Sequence, residues 1–196
     1  MSNELLSTQL SIAEGDQKAF AFLYKQYNKQ LKKFAKALVR SNEISEEIVE
    51  DVFVKLWCNR STLPQIENLI VYMYVAVKNT SLNTLSKKSH ELISAPFDFL
   101  DIDVNDQSFN PYELLITSEM MDRMQGAINS LPPRCKMIFK LVREDGLRYK
   151  EIAEILNISV NTIDVQMSIA IKRICSALDV QKTHKKGVRN KVSGEY

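Results

Sequence analysis

The chain has 196 residues, 45% of them hydrophobic, with 5 glycines, 5 prolines and a formal net charge of +2. Few positions demand special backbone geometry, so the composition is globular and helix-rich and excludes collagen-like, low-complexity and disulfide-scaffold proteins. No run of about eighteen apolar residues is present, and the start MSNELLSTQLSIAEGD lacks a basic segment followed by an apolar one, so a soluble, cytoplasmic protein is expected.

In chain order, Gly15-Asp16 offers a helix start, and Phe20, Leu23, Tyr27, Leu31, Phe34 and Leu38 recur at helical spacing beyond it. Lys25, Lys29, Lys32, Lys33 and Lys36 lie on the other face, which reads as solvated. A second helix is expected from near Ser45, with Ser45 as its cap and Glu46 and Glu47 in a first turn whose dipole favours acids. Ile48, Val52 and Leu56, beside Val49, Phe53 and Trp57, make its apolar stripe, while Glu46, Glu47, Glu50 and Asp51 cluster as a seat for a basic partner.

Ser61-Thr62-Leu63-Pro64 marks a loop, followed by a third long helix from Asn68 to Lys88. Val71, Tyr74, Lys78, Leu82 and Leu85 are expected to share one stripe, with Val75 an alternative to Tyr74. Tyr72, Asn79, Asn83, Ser86 and Lys87 supply rings, amides and charge elsewhere, a mixture that suits single-stranded nucleic acid, where bases stack on rings. Aromatics at helical spacing are more often core, so this signal alone is weak.

From Ser89 to Thr117 the periodicity fails, and Asp98, Asp101, Asp103 and Asp106 accumulate between Pro96 and Pro111. A structureless stretch of that length argues for a linker between two domains. A helix with Met120, Met121 and Met124 then leads into Ile128 and Leu131, and Pro132-Pro133 stops it and starts another.

Gly146 to Arg173 has the pattern of a helix-turn-helix. Ile152, Ala153, Ile155 and Leu156 form the apolar stripe of a short helix; Asn157-Ile158-Ser159 breaks it; Ser159 is placed to cap a second helix from Val160. On that helix Ile163, Met167, Ala170, Ile174 and Leu178 fall on the core side. Asn161, Val165, Ser168 and Lys172 fall opposite, flanked by Thr162, Asp164 and Ile169. The outward face of such a helix enters the DNA major groove, and an ordinary solvated helical hairpin is the competing reading.

The small net charge hides segregation. Residues 1–88 hold twelve Lys/Arg against nine Asp/Glu, residues 89–127 one against eight, and residues 128–196 thirteen against seven. Clustered cations are what phosphate binding requires, because each neutralised phosphate releases counterions. Cys58, Cys135 and Cys175 are widely spaced and far from His90 and His184, so neither a disulfide framework nor a metal site is expected. No nucleophile–base pairing or glycine-rich phosphate loop is present, so no catalytic residue and no cofactor are expected either.

SEEIVEDVFVKLW resembles the AED-hydrophobic-hydrophobic-Q-x-V-F-x-x-x-W signature of bacterial sigma factors of the extracytoplasmic-function (ECF) type. LPPRCKMIFKLVREDGLRYKEIAEILNISVNTI resembles the LP-x-R…Y-x-EIA-x-x-L-x-I-S block of the same family. The blocks lie in the family's order. The resemblance, over about residues 17–88 and 118–178, implies an all-α protein of two helical domains, the C-terminal one a helix-turn-helix; with the acidic linker read above, the expected division is residues 1–88, linker 89–117, residues 118–180, and a tail 181–196 that its basic, apolar-poor composition sets apart.

It also implies that the chain binds core RNA polymerase, recognises −35 and −10 promoter elements and promotes DNA opening, with an anti-sigma factor as a further partner and no small-molecule substrate. By matched position, Glu46, Glu47, Glu50, Asp51 and Phe53 correspond to the polymerase-docking face. The loop from Asn59 to Asn68, with Lys78, Asn79, Asn83 and Lys87, corresponds to the holder of the melted −10 strand. Arg148, Tyr149 and Lys150 correspond to phosphate contacts, and Asn161, Thr162, Asp164, Val165 and Ile169 to the −35 face, on whose outward side helical spacing also puts Lys172. The family often carries Gln at position 50, Ala at 45, and Asp and Arg at 83 and 86. It often has basic residues at 164, 166 and 169, so this chain is expected to read a different −35 sequence. A DNA-binding regulator that uses the C-terminal domain alone is the second reading, and a helical enzyme, with no support in the residues, the third.

Overall fold

The computed structural model describes residues 2–88 and 118–179. These form helices α1 (Ser2–Ala13), α2 (Gln17–Val39), α3 (Asn42–Cys58), α4 (Leu69–Lys88), α5 (Ser118–Asn129), α6 (Pro133–Arg143), α7 (Tyr149–Leu156) and α8 (Val160–Asp179), with a 3-10 segment, Arg60–Gln65, between α3 and α4. No strand occurs among the described residues. The acidic linker and the basic tail expected from the sequence lie outside them.

Helix α2 starts where the sequence places it. The Asp16 carboxylate accepts from the Lys18 and Ala19 backbone N–H groups, and Leu23, Tyr27, Leu31, Phe34 and Leu38 are buried. Helix α3 starts earlier than expected. Ser41 is its cap, accepting from the Ile44 N–H at 3.3 Å, whereas Ser45 is buried one turn in and donates its hydroxyl to the Asn42 carbonyl. A serine at either position can cap; Ser41 wins because Ile44 as well as Ile48 can then pack inward.

In α4 the buried residues are Leu69, Val71, Met73, Tyr74, Val77 and Ser81. The stripe expected from the sequence is therefore only partly right: Leu82 is 38% exposed, and Lys78 is half-buried. Helix α1 had no counterpart in the sequence reading. It is held by Ile12, fully buried, and by Gln9.

The C-terminal helices follow the pattern closely. Pro133 is the first residue of α6, where a missing N–H costs nothing. Asn157 ends α7 in the left-handed conformation (φ 54°), and the Ser159 hydroxyl accepts from the Thr162 N–H at 3.0 Å. Ile163, Met167, Ala170 and Ile174 are buried, and the Cys135 thiol donates to the Gln166 carbonyl, tying α6 to α8.

The two halves share one core. Buried residues of α2 to α4 and of α6 to α8 form a continuous apolar cluster, and a smaller cluster among the described residues, around Ala127, Ile128, Leu131, Ala170 and Ile174, lies within the C-terminal half. Polar bonds cross the same boundary. The Tyr74 hydroxyl donates to Asp145 Oδ2 at 2.7 Å, and Asn68 Nδ2 donates to Glu151 Oε1 at 2.9 Å.

Candidate nucleic-acid interface

On α3, Glu47, Glu50 and Asp51 are exposed, and at about 100° per residue they share a stripe with Val54, which is 61% exposed. Glu46 is exposed but turned aside, and its carboxylate pairs with Lys32 of α2. Phe53 points inward, 3% exposed, with its ring against Phe20 and Tyr24. The face available to a partner is thus three carboxylates around one aliphatic side chain, with Phe53 supporting it from behind. Val54 was absent from the sequence expectation, and its position one turn beyond Glu50 and Asp51 was the available signal.

On α4, Tyr72, Asn79, Asn83, Ser86 and Lys87 are all exposed and fall on one stripe about 100° wide. Lys78 stands apart from it, half-buried, and desolvation lowers its pKa. A ring, two amides, a hydroxyl and an ammonium along one helix face offer stacking, edge hydrogen bonds and phosphate contact in sequence.

The segment before α4 is a six-residue 3-10 helix rather than an irregular loop. Asn59 caps the end of α3, its N–H bonded to the Lys55 and Trp57 carbonyls, and its carbonyl accepts from the Thr62 N–H and hydroxyl. Leu63 is buried, whereas Ser61, Thr62 and Gln65 are exposed. Arg60 stacks its guanidinium 4.9 Å from the centre of the Trp57 ring.

In the helix-turn-helix, Asn161, Asp164, Val165, Ser168, Ile169 and Lys172 are exposed on one side of α8. Thr162 is half-buried, and its hydroxyl is engaged with that of Ser159, so it serves the helix start. Arg148 and Lys150 are exposed at the start of α7, and Tyr149 is half-buried against the shared core. Glu151 reaches back to the Arg148 N–H at 2.7 Å, one half of a capping box, and its other oxygen takes the Asn68 amide.

No group of three or more His, Cys, Asp or Glu side chains among the described residues is arranged to hold a metal ion. None of the described helices is long and apolar enough to cross a membrane.

Two family models match separate stretches of the chain. The sigma-70 region 2 model matches residues 23–91, and the sigma-70 region 4 model matches residues 121–174. The ECF RNA polymerase sigma-E factor of Escherichia coli K12 is 26% identical over 171 residues, covering 83% of this chain and 89% of that protein. Its Haemophilus influenzae counterpart is 23% identical over 158 residues, covering 78% and 83%. Among solved structures, the sigma factor RpoE of Bartonella quintana, in complex with the anti-sigma factor NepR, superposes with a TM-score of 0.54 at 20% identity, covering 83% of this chain and 98% of that one. CnrH in complex with the cytosolic domain of CnrY superposes at 0.53 with 15% identity, covering 89% and 96%. Both sigma-70 regions stand in order on one helical chain with its recognition helix exposed, and the chain therefore belongs to the sigma-70 family as an ECF-type sigma factor.

Proposed function

We propose that this sigma factor docks on core RNA polymerase through the acidic stripe of α3, reads a −35 element with α8, and holds a melted −10 strand on the 3-10 segment and α4. Glu47, Glu50 and Asp51 around Val54 supply charge complementarity to a basic partner, which sets orientation and encounter rate. Arg148 and Lys150 approach phosphates, and Asn161, Asp164, Val165, Ile169 and Lys172 meet the major groove. Phe53, Lys78, Tyr149 and Thr162 are placed as supports rather than contacts.

The chain does no bond chemistry, as is general for sigma factors, and takes no cofactor or small-molecule substrate. Opening follows from differential binding: a surface that stacks and holds unpaired bases favours the separated strand over the duplex. The observation that carries this reading is the exposed Tyr72–Asn79–Asn83–Lys87 stripe, which a DNA-binding regulator using the C-terminal half alone would not need. The cytoplasm, where polymerase and promoters are, is its place of action. An anti-sigma factor is a further partner, as NepR is for the Bartonella quintana sigma factor.

The shared core adds a requirement. Elements about 25 base pairs apart lie roughly 85 Å apart along B-form DNA. A compact chain of this length has a radius of gyration of about 16 Å and is about 40 Å across. The packed arrangement therefore does not reach both elements, and α7 must leave α4 on promoter binding. The 29 residues between α4 and α5 reach about 100 Å when extended, enough for that separation. Permanganate footprinting with purified core polymerase and host promoter fragments tests the proposal. Reactive thymines upstream of the start are expected only when protein and polymerase are both present; a duplex footprint by the protein alone, with no opening in either case, would favour the regulator.

A further inference from the structure

The six-residue 3-10 segment Arg60–Gln65 is longer than such helices usually run, and it contains Pro64, which has no N–H to give. Its support comes from far away in sequence. Gln9 of α1, 3% exposed, donates both amide hydrogens: one to the Leu63 carbonyl at 2.7 Å, one to the Ile66 carbonyl at 2.9 Å. The Leu63 carbonyl also accepts from the Ile66 N–H, so one side chain clamps both ends of the turn that includes Pro64. Ile12, fully buried, seats α1 in the core, and the opposite side of the turn presents Ser61, Thr62 and Gln65 outward.

We propose that Gln9 is a positioning residue for −10 recognition: α1 acts as a strap, and Gln9 holds the 3-10 turn in the shape that lets its exposed side chains discriminate bases of the melted strand. This rests on the reading of that turn as a strand holder. A buried amide that spends both hydrogens on two carbonyls three residues apart sets the local backbone shape. Sequence discrimination by a bent single strand depends on side chains held within fractions of an ångström. Gln9 itself, being buried, touches no base.

The test uses the full chain assembled with core polymerase. A randomised single-stranded oligonucleotide pool is selected for binding, and the affinity ratio between the selected sequence and its single-base variants is then measured. Gln9→Met keeps the side-chain length but removes both donors, and Gln9→Glu keeps the shape but sets an acceptor against the two carbonyls. Each is expected to lower the discrimination ratio roughly tenfold, the worth of about one base contact, while core-polymerase affinity and −35 duplex affinity stay as in the wild type. A preserved ratio in either correctly folded variant overturns the strap. Ser61→Ala and Thr62→Ala separate the two readings. If they change base preference while the Gln9 variants do not, the turn reads the strand without Gln9; if they leave preference unmoved, the turn is not the reader and the proposal falls with it.

Discussion

The Tyr74 hydroxyl and the Asp145 carboxylate, 71 residues apart in sequence, meet at 2.7 Å where the two halves of the molecule pack together. Tyr74 is completely buried, and burial raises its pKa, so it remains a donor throughout the physiological range. Tyr74→Phe removes the donor and leaves a desolvated carboxylate behind. A loss of about 1.5–3 kcal/mol is expected, since a hydrogen bond to a charged group is worth that much. Urea denaturation measures it, and the variant's two halves should separate more readily.

Asp145 has its pKa pushed up to about 6. Burial is the main cause and neighbouring Glu144 adds to it, while the Tyr74 bond and the Lys33 and Lys140 charges pull the other way. A carboxyl whose folded pKa exceeds its unfolded value of about 3.9 stabilises the fold most below that lower value. Its contribution declines as pH rises through 6. Relative to Asp145→Asn, the wild type should therefore gain about 1 kcal/mol between pH 7.5 and pH 5, read as a relative Tm shift of about 2–4 °C. A difference independent of pH would show that Asp145 is ionised in the folded state at pH 5.

The start of α3 offers a cleaner structural test. Ser41→Ala should cost about 1 kcal/mol through loss of the helix cap. Ser45→Ala should cost less, because the Ser45 hydroxyl bonds a carbonyl within its own helix and leaves no backbone donor orphaned. Thermal denaturation of the two variants distinguishes them, and the reverse order would place the cap at Ser45.

Asp164 stands exposed near the start of α8, with Val165 and Ile169 beside it. On the proposed −35 reading, a carboxylate there would accept from a cytosine amino group and the aliphatics would meet thymine methyls, each good contact being worth ~1–3 kcal/mol of discrimination. Asp164→Arg should shift the preferred −35 bases toward guanine in a selection experiment. An unchanged preference would remove Asp164 from the reading face.

How much of this could be read from the residues alone varies with the range of the interaction. The helix-turn-helix was legible because its signals are local: Ile152 to Leu156 on one stripe, Ser159 three residues before the N–H it caps, Pro133 at a first turn. Helix α1 was not. Its buried residues are Gln9 and Ile12, with Leu5 packed at the core's edge, and a buried glutamine reads as surface until its two carbonyl partners, 54 and 57 residues away, are placed. The start of α3 was misplaced because Ser41 and Ser45, one turn apart, both satisfy a capping pattern. Leu82 was expected inside and is exposed, because in α4 the core is set by packing against α2, α3 and α7 that periodicity within α4 does not encode. The same holds for the Tyr74–Asp145 and Asn68–Glu151 bonds. They join segments that each look complete alone, and nothing in either segment names its partner.

On the proposed function, the acidic stripe of α3 delivers this chain to core polymerase, and promoter-directed initiation follows. Run-off transcription with purified bacterial core polymerase on host genome fragments tests it most directly, with the wild type and with Glu50→Ala combined with Asp51→Ala. Both side chains are exposed, so the fold should survive the change. New transcripts that depend on the wild-type protein and vanish in the double variant are the predicted result. Transcripts undiminished in the double variant would contradict the docking face, and none from any fragment, with footprints by the protein alone, would mark a DNA-binding regulator that works without polymerase.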